Sequence, residues 1–599
     1  MMRFCKLGTA LCLVLTLLLS LGLAVVPAAA QTPPPRDIGD INGDGTVDID
    51  DILDVRRDMF GEQSLAGDDL AAALALTPDG IDIDTILAIR SIMFGTYSPG
   101  PTAAPTAVAT PLPPVEGEGP VRTQEPFAME PLLGGDTYYV STAGNNANDG
   151  KTLETAWLTL QYAVNTIRDG DTILVAGGDY AGFHVSPMYS GDPDDGWKCI
   201  KALDPANKPR ITSAQTTSTG RPSFVQFWGN SRESGIRKAI YVKYWVVDGL
   251  VADNTANDRN DPSLNVYGFD FVIASNMIIR NCEAYNSYLT GIFCSMVDNF
   301  VAENNISEGN REHGFYFNCG GDNFVFRRNI SKDNDNCGFH LNGGYHLPIA
   351  QDDRDGIHRN GLYEFNINSG NGAGGGASFN LSGLRGGIVR NNLSFNERAS
   401  GITLFAGNAS DTSRDVEIYN NTILLARENS RAVVLYDGNN KGHWCSDCPA
   451  GSEPVPPHNE TSMIDKPLNT FFYNNIFGYV TPPAGNLVSV GTGTGGGPRL
   501  NQPNVIFRGN LFIGTQSTGY VSVPASTLTI LRNSNTFEPD VSKIFVNPGV
   551  DHSLKPDSPA IGCGVYIPSD FSPFDNSGIP RDPFNRDAGA LVYAPAFPG

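Results

Sequence analysis

Basic residues are scarce in this chain. Its 41 Lys and Arg face 64 Asp and Glu, a formal net charge of −23, so nucleic acid is not expected as a partner. Apolar runs long enough to span a bilayer are missing after the first 30 residues, so no membrane-spanning helix is expected there. Cysteine is sparse, at ten residues. No second Cys pair stands at metal-ligand spacing from Cys445 and Cys448, so the stretch His443-Trp444-Cys445-Ser446-Asp447-Cys448 reads as a disulfide loop or free thiols ahead of a metal site with His443 and His458. Between residues 276 and 344 there is no 3.6-residue apolar period and no Leu framework, which excludes a helical repeat and a leucine-rich one.

What is present is a repeat. The runs Asn276-Met277-Ile278-Ile279-Arg280-Asn281, Asn299 to Asn305 and Asn323 to Asn329 place a closing Asn at 281, 305 and 329, a spacing of 24 residues. Between them lie Gly291-Ile292-Phe293-Cys294, Gly314-Phe315-Tyr316-Phe317-Asn318 and Gly338-Phe339-His340-Leu341-Asn342. Each period thus holds two short Phe/Ile/Val-rich runs separated by Asn/Asp/Gly/Ser turns. Strand-only coils of fixed period predict an all-β, right-handed parallel β-helix. Asn366, Asn392, Asn421, Asn475 and Asn510 continue the turn at steps of 26, 29, 54 and 35 residues, and the excess marks insertions.

Four regions follow along the chain. Met1 to Ala30 has Arg3 and Lys6 before an apolar run and Ala28-Ala29-Ala30, so it reads as a cleavable secretory signal in preference to an uncleaved membrane anchor, which predicts a secreted protein. Residues 37 to 95 carry fourteen acids against three Arg. Within them Asp40, Asn42, Asp44, the Thr46 carbonyl, Asp48 and Asp51 fall at positions 1, 3, 5, 7, 9 and 12 of a loop that turns at Gly45. This spacing converges oxygens on one Ca²⁺. From residue 97 to 135 the composition is Pro, Thr and Ala-rich and cannot bury a core, so it reads as a linker. The large β-helix domain spans 136 to 593 and opens on Asp136-Thr137-Tyr138-Tyr139-Val140. A one-sided helix at Leu160, Ala163, Val164 and Ile167 follows, and would cover the open end of the solenoid.

Two resemblances follow from these residues. The run Ile52-Leu53-Asp54-Val55-Arg56-Arg57-Asp58-Met59-Phe60-Gly61 returns 34 residues later as Ile86 to Gly95. A duplicated calcium loop and helix over residues 37–96 resembles a type I dockerin. That resemblance implies two Ca²⁺ and docking onto a cohesin-bearing scaffold, with Ile49, Asp50, Ile83 and Asp84 in recognition. The second loop is one residue short and has Thr85 where an acid is expected, so one good calcium site is predicted. The opening, the coils, and the closing runs Ser553 to Gly562 and Pro580 to Ala590 resemble secreted right-handed β-helix proteins of the pectate-lyase-like superfamily.

Strand alternation sorts the columns. Phe315, Phe339, Phe379 and Ile402 face in, with Phe317, Leu341, Leu381 and Leu404, and Cys294 joins this core. Tyr316, His340, Asn380 and Thr403 then face out, beside Asn318, Asn342 and Ser382, as a saccharide-binding strip. Glu303, Arg327, Glu364 and Arg390 form a surface ladder of alternating charge, and the turn Asn at 281, 305, 329 and 392 a structural ladder. Glu312-His313 precedes one strip strand, and the loop Tyr345 to His358 hangs off the strand of His340. Four of eight His, at 313, 340, 346 and 358, lie within 46 residues. The expected acid/base residues are His313 and His340, with Glu312, Asp353 and Asp355 as carboxylates; Asp352, Asp353 and Asp355 could instead hold a second Ca²⁺.

The superfamily resemblance implies a polysaccharide lyase that cleaves a uronate-containing polymer, typically with Lys or Arg as base and Ca²⁺ neutralising the carboxylate. Lys332, Arg354 and Arg385 are the basic residues near the strip. A glycoside hydrolase using Glu312 with Asp353 or Asp355, and a non-catalytic carbohydrate-binding or cell-surface solenoid, are the alternatives. A monomer is expected.

Overall fold

The computed structural model describes residues 127–592 apart from 216–220, 231–238, 263, 344–355, 406–408, 410–411, 427–429, 438–468, 481–486, 493–504, 515–519, 522–533, 566, 568–573 and 582–585. The signal, the calcium-loop module, the linker as far as residue 126, Cys445 and Cys448, His346, and Asp352, Asp353 and Asp355 lie outside the described residues.

Parallel strands stack coil upon coil in three faces. The first runs through Phe183–Val185, Ser223–Trp228, the front halves of Tyr267–Arg280 and Ile292–Glu303, then Phe315–Asn318, Phe339–Asn342, Ala377–Ser382 and Ser400–Phe405. The second starts at Thr137–Val140 and Thr172–Val175 and continues through the back halves of the two long strands to Asp322–Arg327, His358–Glu364 and Ile388–Arg390. The third is made of short strands such as Glu283–Tyr285, Ile306–Glu308 and Ile330–Lys332. The long strands bend between faces one and two at left-handed residues, among them Asn276 and Asn299, where a short polar side chain tolerates positive φ.

Inside, every expected inward residue is buried. Phe315, Phe339 and Phe379 stack face to face at 4.7 and 5.2 Å, and Cys294 is core. Offset stacking of aromatics on successive coils adds to the area they bury. The one-sided helix forms at Leu160–Thr166, capped by the Thr159 hydroxyl, and buries Leu160, Ala163 and Val164. It lies on the first coil, where the end of the core would otherwise meet water.

The turn ladder is real but its first rung is not Asn281. Arg280 pairs with Glu303, so the first repeat is 23 residues, and the Asn305 side chain accepts from the peptide N–H of Cys282. Asn281 instead donates to Asp248 Oδ1. From Asn305 the ladder climbs through Asn329, Asn366, Asn392, Asn421, Asn475 and Asn510 to Asn535. Each backbone N–H donates to the next amide oxygen at 2.9–3.0 Å. Each amide nitrogen also reaches a backbone carbonyl, as Asn329 does that of Ala302. Buried turn donors are thereby satisfied, at a net worth of about 1 kcal/mol per bond.

The charge ladder also differs from its expected place on the surface. It extends back to Asp248 and Arg280, paired at 2.9 Å, and its far end, Glu364 with Arg390 at 2.7 Å, is buried. Arg390 also donates to the Tyr419 hydroxyl, so the ladder's neighbours in the stack supply the cover. Phe127 and Met129, which composition places in the linker, pack on this same face against residues such as Ile278, Val301 and Val325. The chain joins the solenoid before Asp136 because those side chains are apolar. At the other end, the hairpin Phe545–Asn547 with Asp551–Leu554, together with Ala560 and Ala588, packs on Leu424, Ile476 and Leu511 of face three.

Candidate functional site: the outward strip of the first face

Register sets the strip. One column runs His184, Gln226, Asp270, Phe293, Tyr316, His340, Asn380 and Thr403, each the paired neighbour of the last. Tyr316, His340 and Asn380 are therefore consecutive rungs, as alternation predicts. The His340 ring stands edge to face with Tyr316 at 4.5 Å and its Nδ1 lies 2.9 Å from the Asn380 amide nitrogen. His313 stacks on His340 at 4.5 Å with 9° between planes, and its Nδ1 accepts from the Cys337 N–H at 3.2 Å. The Asn342 amide donates to the Tyr316 hydroxyl at 3.2 Å, while the Asn318 oxygen caps the next peptide N–H, of Cys319.

Burial sets the protonation states. It holds His340 down to about 3 and His313 well below the ordinary imidazole range, His340 adding to the effect; both rings are neutral at neutral pH. Burial also raises Tyr316, which stays a phenol, and raises Glu312 against the opposing pull of Arg311 and Arg221. A neutral imidazole beside a protonated phenol can take a proton at one place and deliver one at another.

Several expected members fall elsewhere. Ser382 and Thr403 are buried, and later residues lie close to this end: Ser413 Oγ donates to the Leu381 carbonyl, and Gly343 abuts Ala409. His358 is fully buried between faces. Its Nδ1 lies 3.0 Å from the Gly321 nitrogen and its Nε2 3.1 Å from the Asn342 carbonyl, so it clasps the strip strand from behind. Lys332 sits on face three, paired with Glu308 at 2.6 Å, and Arg385 on face two; neither basic residue lies on the strip.

The strip also has a half that sequence reasoning missed. Asp270 is wholly buried; its Oδ2 accepts from Ser223 and Gln226, each at 2.9 Å, and lies 3.3 Å from Arg221 Nε. Asp270 Oδ1 has no hydrogen-bond partner among the described residues. His184 meets Gln226 at 3.0 Å. The Arg221 guanidinium lies over the rings of Tyr267 at 3.9 Å and Phe293 at 4.3 Å. An aromatic shelf then continues from Tyr267 to Phe293 at 5.0 Å and Phe293 to Tyr316 at 5.1 Å. Steps of 42 and 44 residues separate His184, Gln226 and Asp270, so the 24-residue period could not reach them. A usable signal was a polar residue between two apolar ones, as in Phe183-His184-Val185, Val225-Gln226-Phe227 and Phe269-Asp270-Phe271.

The fold and the sequence define a class. A family model described as a right-handed β-helix region matches residues 237–363, and the described strands have the fold of a right-handed parallel β-helix. No curated protein matches it in sequence. Solved structures similar to it include a pectate lyase, 15% identical with a TM-score of 0.40, over 77% of this chain and 98% of that one. An alginate lyase from Paenibacillus sp. strain FPU-7 is 14% identical with a TM-score of 0.35, over 59% and 99%. A lacto-N-biosidase from Eubacterium ramulus is 14% identical with a TM-score of 0.40, over 67% and 68%. Among the described residues no helix is long and apolar enough to cross a membrane.

Proposed function

We propose that the protein is a secreted polysaccharide lyase that cleaves a uronate-containing polysaccharide by β-elimination on this strip. The observation that carries the reading is the pair of His340 and Tyr316, a neutral imidazole and a phenol 4.5 Å apart between ring centres, with the fixed cation Arg221 over Phe293, one coil away. Elimination needs a base for the proton on the carbon bearing the carboxylate, an acid for the departing glycosidic oxygen, and a cation for the carboxylate. With the Asn380 amide turned to accept from Nδ1–H, His340 Nε2 takes the proton; the C–H electrons form the ring double bond and the C–O bond breaks. Tyr316 protonates the leaving oxygen, and Arg221, oriented by Asp270, faces the carboxylate. His313 packs the base in place, and Asn318 and Asn342 with the aromatic shelf bind sugar faces and hydroxyls.

A hydrolase would need two available carboxylates. The expected pair is Glu312 with Asp353 or Asp355, of which the two Asp lie outside the described residues; among the described residues Asp270, the acid on the strip, is buried and committed to Ser223, Gln226 and Arg221 and does not supply the second carboxylate. The direct test incubates the secreted protein with polygalacturonate, alginate and glycosaminoglycans and follows the ultraviolet absorbance of an unsaturated uronate. Absorbance growth on at least one polymer is expected, and its absence on all of them rejects the lyase.

Docking is the second half of the reading: residues 37–96 bind one Ca²⁺ and attach the enzyme to a cohesin-bearing scaffold. Calorimetric titration of residues 31–98 should give one tight calcium site that Asp44→Ala and Asp51→Ala abolish. Two equal tight sites would show that Thr85 is no handicap.

A further inference from the structure

One group beside the strip has no part in elimination. The pairing of Phe315 with Phe339 puts residues 313 and 337 on successive rungs, so Cys337 stands directly above His313, three residues ahead of His340. Cys337 Sγ lies 3.7 Å from His340 Nδ1. The sulfur and one ring nitrogen from each imidazole all fall within 4.8 Å of one another. A tetrahedral ion bound at about 2.0–2.1 Å by nitrogen and about 2.3 Å by sulfur holds its ligand atoms about 3.3–3.8 Å apart. The Cys337–His340 edge already has that span, and small side-chain rotations close the others.

The donor set selects the ion. Sulfur with two imidazoles suits Zn²⁺ and similar thiophilic divalent ions, whereas Ca²⁺ and Mg²⁺ demand oxygen. Both imidazoles are already oriented, His340 by Asn380 and His313 by the Cys337 peptide N–H. Coordination through Nδ1 of each ring gives up those two neutral hydrogen bonds, a small loss beside two metal–nitrogen bonds.

We propose that His313, Cys337 and His340 form a binding site for Zn²⁺ or a similar thiophilic divalent ion, and that its occupation switches the strip off. The Cys337 thiol releases its proton to solvent, its sulfur and one nitrogen of each His donate electron pairs to the ion, and no oxidation state changes. With the ion on His340 Nδ1, the neutral ring's one proton sits on Nε2, which then has no lone pair with which to accept a substrate proton. The switching rests on the lyase reading; the binding does not.

Two measurements separate them. Full-length protein stripped by a zinc-selective chelator is titrated with Co²⁺, whose thiolate complex has a charge-transfer band in the near ultraviolet. One equivalent should raise the band and Zn²⁺ should bleach it. The band should survive Cys445→Ser/Cys448→Ser and vanish in Cys337→Ala and His313→Ala. No band in the wild type, or one that survives Cys337→Ala, overturns the site. On a polymer that the metal-free protein cleaves, Zn²⁺ should slow elimination at least tenfold, reversibly, while Cys337→Ala keeps its own metal-free rate. Cleavage that Zn²⁺ leaves unchanged overturns the switch. A band without cleavage of any polyuronate leaves the site standing and rejects both the lyase and its switching.

Discussion

Two polar columns run up this solenoid at the same coil spacing, and they are built in opposite ways. The turn column repeats one residue from Asn305 to Asn535 and closes each rung with the same pair of bonds. The strip, His184, Gln226, Asp270, Phe293, Tyr316, His340 and Asn380, never sets the same residue on two consecutive rungs. Each coil presents the same unmet backbone donor at its turn, so one side chain answers it every time. A column that changes identity rung by rung answers something that itself varies along the axis, as a bound heteropolymer and its reacting bond would. In a repeat protein, the departure from repetition marks the site.

The sharpest way to break this contrast is to exchange the expected effects. His340→Ala should lower kcat about 10²- to 10⁴-fold, the range of a lost acid/base group, with the melting temperature nearly unchanged. A large loss of stability at unaltered kcat would move His340 into the structural class. Asn329→Ala should do the reverse. It strands the peptide N–H of Asn305 and one of its two amide N–H groups, both accepted by Asn329, while the other stays on the Ile279 carbonyl, for a cost of about 2–4 kcal/mol, read as a lower melting temperature with normal specific activity of the folded enzyme.

Glu397 sharpens the comparison at smaller scale. It ends a second amide ladder, Asn310, Asn334 and Asn371, by accepting from the Asn371 amide at 3.2 Å, and burial pushes it from 4.5 up to about 8. A carboxyl raised on folding contributes stability that is complete below its unfolded value and fades as pH climbs toward the folded one. The wild type should therefore lose stability between pH 5 and pH 8, by up to about 1.4 kcal/mol per pH unit from this group. Glu397→Gln, which restores an amide to the ladder, should flatten that slope in thermal melts at the two pH values. An equal slope in the variant would assign the dependence to other groups.

Much of the fold was legible because the coil is local. Phe315 and Phe317, or Phe339 and Leu341, declare their faces by alternation alone, and the terminal helix by its apolar stripe. The Asn281 rung was misread because Asn304 and Asn305 are adjacent, and choosing the wrong one slips the register by one residue. Only hydrogen bonding reveals that Cys282 heads the ladder. The site was half legible: Tyr316, His340 and Asn380 lie in coils of regular length. Arg221 and Asp270 meet across 49 positions of sequence, a closeness that no period encodes. The contacts of Ser413 with Leu381 and of His358 with Gly321 likewise join distant stretches of chain.

The ladder has a bearing on how this protein can change. Asn421 closes on Asn475 across 54 residues at the same 3.0 Å with which Asn305 closes on Asn329 across 24. The joint between coils is thus indifferent to the length of chain looped out between them. New loops can be grafted at the rim of the strip without disturbing the rows beneath, so specificity can diversify by insertion while the spine stays as it is.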